Sequence, residues 1–411
     1  MIRRQHMLES HRLTERESKN LMLLDLIRRN GPITRTELSQ GTGLNIVTVS
    51  NYVSDFIKAG LVVERGFDVS TGGRKPVLVE LHAKAGFTIG VDLGPMGIYP
   101  NPTVRGVITD LHGTIVHQIT RGREAESAEQ VLAAAGEMIR DLMTTSPVDA
   151  KKVRGAAVGV GGVFDERAGT IHDTSHRGVR TSYLTLQSRW ENELKIPVLI
   201  GNDATFAGYG EYRIGLDRPV ENMVYLFSDV GASLIVHGNV YWGSSGSAGE
   251  LGVRVPSEND YLAWLRSPTF VMSNVWDLGL RAQARKLIDE GTQTAIATMV
   301  DGDLESLTMY TVIEAAQQGD QLAKELIENC ALQLGIRIAS IVNLLNPDVV
   351  VLGGGIERAS SLLLETVWRA VKRYAYEEPA SLVDILPAKL GDNAVALGAA
   401  CWVIRELFSQ A

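Results

Sequence analysis

Asn202 and Asp203 stand side by side at the end of the apolar run IPVLIG. A carboxamide and a carboxylate at a strand end that opens on a cleft can hydrogen-bond a bound ligand. The same pair can equally make a turn or cap the next helix. Upstream, HDTSHRGVR gathers two histidines and two arginines, His176 and Arg177 among them. That density suits an anionic or phosphorylated ligand as well as it suits a solvated loop. A second kind of chemistry lies near the N-terminus. Asn45, Thr48, Ser50 and Asn51 are small polar side chains close together in sequence, of the kind that meets base edges or phosphates. Thr36 precedes them. Arg74 and Lys75 end a glycine-containing segment and suit phosphates or a narrow minor groove.

The elements that must hold the N-terminal set can be read from periodicity. Leu21, Leu23, Leu24, Leu26 and Ile27 follow the spacing of one helix face between Thr14 and Asn30. Thr14 with Glu17 makes a capping box at its start, and Asn30-Gly31-Pro32 ends it. Thr34 or Thr36 starts a second short helix, and Gly41 and Gly43 permit a tight turn. A third helix is expected from about Asn45 to Ala59, with Ile46, Val49, Val53, Phe56 and Ile57 facing inward. The strands LVVERG and PVLVEL, joined by FDVSTGGRK, read as a hairpin. Three helices and a hairpin make a winged helix-turn-helix, whose third helix enters the major groove of duplex DNA. A small helical domain used for protein contacts is the plainer reading of the same helices.

Charge fits the first reading. The whole chain carries a net charge of −8, but residues 1–85 hold thirteen Lys/Arg against nine Asp/Glu, a surplus of four. The remainder therefore carries twelve negative charges in excess. A mildly basic head can approach phosphates while an acidic body resists nonspecific adhesion. The apolar content of 45% is that of a soluble globular protein, and no apolar run is long enough to span a bilayer. The opening MIRRQHMLESHRLTERE has no apolar core, so no secretory signal is expected. Cys330 and Cys401 lie far apart in apolar helical patterns, which fits buried packing in a reducing cytoplasm.

Beyond residue 86, strands are expected at 87–94, 103–111 and 113–120, a helix at 126–144 and the strand VRGAAVGVGG. A second set begins with NMVYLFSD and GASLIVHG. It continues with a long helix at about 320–345, the strand DVVVLGGG, a further helix, LVDILPAKL and a last helix. Alternating strands and helices point to α/β layers.

The stretch from ITRTELSQ to STGGRKPVLVEL resembles the head of ROK-family regulators, repressors related to bacterial sugar kinases. FTIGVDLG, GAAVGVGGVFD, PVLIGNDATFAGYGE, GSAGELG, NLLNPDVVVLGGGI and LGDNAVALGAA extend the resemblance over nearly the whole chain, and their order is the specific signal. The resemblance implies an α/β chain: an N-terminal winged helix-turn-helix, then a duplicated actin-like (ribonuclease H-like) ATPase/sugar-kinase fold with a ligand cleft between lobes. The head would occupy 1–82, the first lobe 83–202 plus 394–411, and the second lobe 203–393. It further implies that Asn202 and Asp203 stand where sugar kinases bind a hydroxyl and place their base. Glu250, in GSAGELG, matches a glutamate that contacts sugar, with a structural carboxylate as the alternative.

The chain also departs from the family pattern. Val253 stands where a histidine is usual, and no Cys or His occurs between His237 and Cys330, so the family's zinc motif has no ligands. Tyr261, Trp264 and Leu265 could pack that loop instead. The first phosphate loop reads Asp92-Leu93-Gly94-Pro95-Met96, where proline removes an N–H donor and Met96 offers no hydroxyl. The second reads Ser228-Asp229-Val230-Gly231-Ala232, placing a carboxylate where nucleotide phosphates would lie. Gly353, Gly354 and Gly355 remain, as a tight turn alone would require. Kinase activity is therefore not expected, nor any metal or cofactor. The expected partners are double-stranded operator DNA, a carbohydrate effector and a second or further copies of the chain, as homodimer or homotetramer, with no membrane. A regulator answering to a protein partner, or an active sugar kinase that kept a DNA head, are the alternatives.

Overall fold

The computed structural model describes residues 13–67, 76–94, 103–123, 128–172, 180–227, 231–251 and 279–411. Its first helices begin where side chains can satisfy the free N–H groups of a helix end. In α1 (Glu15–Asn30) Thr14 accepts from Glu17 N while the Glu17 carboxylate accepts from Thr14 N. Thr34 and Glu37 repeat this capping box at α2 (Arg35–Thr42), so Thr34 and not Thr36 is the cap. A two-residue strand, β1 (Ile33–Thr34), precedes α2. Gly43, at φ +69°, turns the chain toward α3 (Ile46–Lys58), whose cap is Asn45. The strands β2 (Val62–Phe67) and β3 (Val77–Leu81) pair antiparallel, and β1 adds to the far edge of β3.

Leu23, Leu24, Ile27, Leu38, Val49, Val53 and Phe56 are fully buried in this head. Each such side chain contributes about 1.5–3 kcal/mol through burial. Leu21 and Leu26, read as part of the same face, are only half-buried. The core is completed from far along the chain: Leu111, Ile404 and Phe408 pack into the same cluster. The Arg28 guanidinium also reaches the His112 carbonyl at 3.5 Å.

By packing, the chain forms two units. One holds the described residues of Met1–Met96, Thr103–Asn202 and Ala396–Ala411; the other holds those of Asp203–Val395. In the first unit, β4 (Phe87–Asp92), β5 (Thr103–Asp110), β6 (Ile115–Gly122), β7 (Val153–Val160) and β11 (Val198–Asn202) form one sheet. Its order is β11-β7-β4-β5-β6. The β4-β5-β6 run is antiparallel, and β7 and β11 add in parallel through the crossover helices α4 (Ala128–Thr145) and α5 (Tyr183–Leu194). Three short strands, β8 (Val163–Asp165), β9 (Thr170–His172) and β10 (Arg180–Ser182), form a small antiparallel sheet that the sequence reading missed.

The second unit repeats the plan. It contains α6 (Asp203–Gly210), β12 (Met223–Phe227), β13 (Gly231–Val236) and β14 (Asn239–Val240). The helices α7 (Leu280–Asp289), α8 (Ala295–Met299), α9 (Met309–Gln317) and α10 (Gln321–Leu345) follow. Then come β15 (Val349–Gly353), α11 (Ser360–Tyr374), α12 (Glu377–Leu382) and β16 (Asp384–Pro387). Sheet order is β14-β13-β12-β15-β16, again three antiparallel strands extended by two parallel ones. Two sheets with one topology are the duplicated α/β architecture that the motif order implied.

The last helix, α13 (Ala394–Ser409), lies directly on β4. A Cβ at Gly90 would sit 1.8 Å from the Ala396 carbonyl oxygen, and the Thr88 hydroxyl donates to the Ala400 carbonyl at 3.1 Å. The small residues of FTIGVDLG and ALGAA are thus a packing match between strand and helix.

Candidate functional site

On α3 the inward face is Val49, Val53 and Phe56, with Ile57 half-buried. Ile46, expected inward, is instead 44% exposed, and Val47 beside it is 66% exposed. The core closes one turn further along the helix, leaving these first two residues to solvent. Asn51 and Thr36 are exposed, and Thr48 and Ser50 are half-buried. The Asn45 side-chain oxygen accepts from Thr48 N at 2.8 Å, so that atom is engaged in capping. Arg35 on α2 pairs with Glu64 on β2 at 3.1 Å, tying the helices to the wing strand. Arg74 and Lys75 lie outside the described residues.

The carboxylates of the second candidate set do come together. Asp203 opens α6, immediately after β11 has delivered Asn202, and its Oδ1 accepts from Ala204 N at 2.7 Å. One carboxylate oxygen of Asp203 is thus engaged by the main chain at the start of the helix. Glu250 is fixed through its neighbour: Ala232 N donates to the Gly249 carbonyl at 2.7 Å, and Gly231 bridges Glu250. Gly249 has φ +97°, and a Cβ there would come within 1.9 Å of the Ala232 carbonyl oxygen, so only glycine allows the approach. Burial raises the Asp203 carboxyl to about 6, against the N–H groups of Ala204 and Asp203 itself. Glu250 is exposed as a residue, yet desolvation of its carboxyl, with the negative charge of Asp203 as second cause, raises it to about 7. Two interacting carboxyls that titrate near neutrality are a common mark of a ligand site. Asn202 donates to the Gly162 carbonyl at 3.2 Å. His176 and Arg177 lie outside the described residues, as do Val253, Tyr261, Trp264 and Leu265.

One buried acid was not singled out from sequence. Glu211 is 1% exposed, and its Oε1 accepts from the main-chain N–H groups of Lys389 and Leu390 at 2.8 and 2.7 Å. Burial, opposed by those donors, raises it to about 7. Its signal was a charged residue inside the apolar stretch FAGYGEYRIG.

Comparison with known proteins decides the family. Residues 88–262 and 288–406 match the ROK family model, and residues 16–63 match a winged helix-turn-helix DNA-binding model. The chain belongs to the ROK family. It is 27% identical to a xylose repressor of Caldicellulosiruptor bescii over 97% of this chain and 98% of that protein. A ROK family transcriptional regulator described as a homolog of the E. coli MLC protein superposes with a TM-score of 0.73 at 20% identity, covering 96% of this chain and 97% of that one. A ROK family glucokinase of Streptomyces griseus has a TM-score of 0.62 at 22% identity, covering 98% of its own length but 77% of this chain.

At the end of β4 the segment Asp92-Leu93-Gly94 makes a tight turn. The Asp92 carboxylate accepts from Gly94 N at 2.7 Å, and Gly94 at φ +69° sits against the Thr103 carbonyl. Pro95, Met96, Ser228 and Asp229 lie outside the described residues. In the glycine triplet, a Cβ on Gly353 would come within 2.1 Å of the Tyr225 hydroxyl, and Gly355 N donates to Glu357 at 2.7 Å. Packing and turn formation account for these glycines without a nucleotide.

Proposed function

We propose that this ROK protein is a DNA-binding transcriptional repressor of carbohydrate genes whose hold on its operator is released by a sugar. The observation that carries the reading is the union, in one chain, of a winged helix-turn-helix with a full ROK domain. The ROK glucokinase aligns over 98% of its length yet matches only 77% of this chain, whereas the ROK regulator matches 96% of it. The head, residues 1–82, reads duplex DNA through Thr36, Asn45, Thr48, Ser50 and Asn51, with Arg74 and Lys75 on phosphates. Asn202, Asp203 and Glu250 hydrogen-bond the sugar, and His176 adds a contact.

Helix-turn-helix proteins read paired half-sites, so the working form carries at least two heads. Sugar binding alters the relation of those heads, and a coupling of about 1–3 kcal/mol changes occupancy roughly five- to hundredfold. The ROK domain does not transfer phosphate. Asp92 is folded back on Gly94, Pro95 supplies no N–H and Met96 no hydroxyl where the family has them, and Asp229 would repel a nucleotide. The reaction compartment that suits such a protein is the cytoplasm, and among the described residues no helix is long and apolar enough to cross a membrane.

The test begins with calorimetric titration of the purified protein with a monosaccharide panel headed by D-xylose. Operator affinity is then measured with and without the sugar that binds. Binding with weakened operator affinity supports the reading. Equal operator affinity at saturating sugar, or ATP consumption coupled to any sugar of the panel, overturns it.

A further inference from the structure

Val47 and Ile46 are exposed aliphatic side chains at the one helix end where a winged helix-turn-helix needs to read sequence. Val47 is 66% exposed and Ile46 44%. Val47, Ser50, Asn51 and Ser54 follow i, i+3, i+4, i+7 spacing and so share one face of α3. Apart from Val47, that face is made of small polar groups, and the Ser54 hydroxyl is turned back onto the Ser50 carbonyl at 2.8 Å. Its one charged side chain, Lys58, stands three turns on at the far end of the helix, paired with Asp55 at 3.4 Å. Two consecutive branched aliphatic residues are thus presented at the leading turn, beside the cap Asn45.

The major groove offers one apolar feature to such a side chain, the C5-methyl group of thymine. Resting on the DNA-binding reading, we infer that Val47, with Ile46 beside it, contacts thymine methyl groups and so selects thymine at one or more operator positions. Thr48 and Asn51 remain as hydrogen-bonding neighbours on the same helix turn. A methyl contact releases no counterion, so its contribution to affinity does not depend on salt.

The experiment uses the full chain. Duplexes are first selected from a random pool, and each thymine of the selected site is then replaced by deoxyuridine, which removes only the methyl group. At the contacted position, loss of the methyl weakens binding by roughly fourfold, the equivalent of about one buried methylene. In Val47→Ser that penalty disappears, while a change at Asn51 leaves it in place. Val47→Ala serves as the second variant, its folding checked by its melting temperature. Uniform tolerance of deoxyuridine overturns the inference, as does a penalty that persists unchanged in both Val47 variants. If Val47→Ser lowers the oligomeric state in sedimentation and leaves the deoxyuridine penalty intact, the pair covers a second copy instead, and the inference fails. Recovery of no duplex at all overturns the DNA-binding reading on which it rests.

Discussion

The side-chain amide of Asn20 donates to the main-chain carbonyl of Ser409 at 3.0 Å, joining the first helix of the head to the last helix of the chain across 389 positions. The same Nδ2 reaches the Ala411 carbonyl at 2.6 Å, and Asn20 is 2% exposed. These bonds sit beside the cluster in which Ile404 and Phe408 complete the core of the head. The DNA-reading module is thus fastened to α13, which itself lies on the central strand β4.

Asn20→Ala is expected to destabilise the protein by about 1–3 kcal/mol, because it strips the buried Ser409 carbonyl and the half-buried Ala411 oxygen of their donor. Urea denaturation measures the loss. Asn20→Asp, which offers acceptors only, is expected to be worse, and an unchanged midpoint for both would show that the link contributes nothing.

Phe408→Ala tests whether head and last helix share one core. Its cost should be about 3–5 kcal/mol, the range for emptying a buried phenylalanine site. Hydrogen exchange of the head amides at Leu23, Leu24 and Val53 should speed up together with those of α13. Protection lost in α13 alone would mean that the head folds independently.

At the carboxylate pair, Asp203→Ala should abolish sugar-dependent release while leaving operator affinity without sugar unchanged. The comparison is made by operator titration with and without the binding sugar. A variant that still responds to sugar excludes Asp203 from the ligand set and favours a protein partner as the signal.

The pair also fixes a pH dependence. Asp203 titrates at about 6 and Glu250 at about 7, each raised above its ordinary value. Ionised carboxylates accept sugar hydroxyls, so affinity for the sugar should rise from pH 5 to pH 8, and Glu250→Gln should remove the upper part of the rise. Calorimetry at fixed ionic strength reads the profile. A flat profile in the parent protein would contradict the arrangement.

Glu211 gives the matching stability experiment. Its carboxyl is raised to about 7 by burial, so the folded state favours its protonated form. The stabilisation that results is fully present below the ordinary carboxylate range and is lost as pH rises through 7. Glu211→Gln should therefore lose less stability than the parent between pH 5 and pH 8. An identical slope of urea midpoint against pH would overturn the assignment.

Local chemistry was legible in the residues alone. The capping box of Thr14 and Glu17, the turn at Gly43, the helix from Ile46 to Lys58 and the alternation of strands with helices all depend on neighbours within a few positions. The order of the glycine and carboxylate motifs, read against a known family, carried the duplicated fold. What lay beyond reach was set by contacts between distant segments. Periodicity put Ile46 on the inner face, since a helical step of about 100° leaves a residue at the rim free to fall either way until the core closes. Only packing exposed it, with Val47. No spacing rule could announce that Leu111, Ile404 and Phe408 would finish the core of the head, or that Asn20 would find Ser409. Nor could composition show that burial would raise both Asp203 and Glu250, or that the charge of Asp203 would add to the rise at Glu250, because charge, burial and distance combine only once the chain has folded.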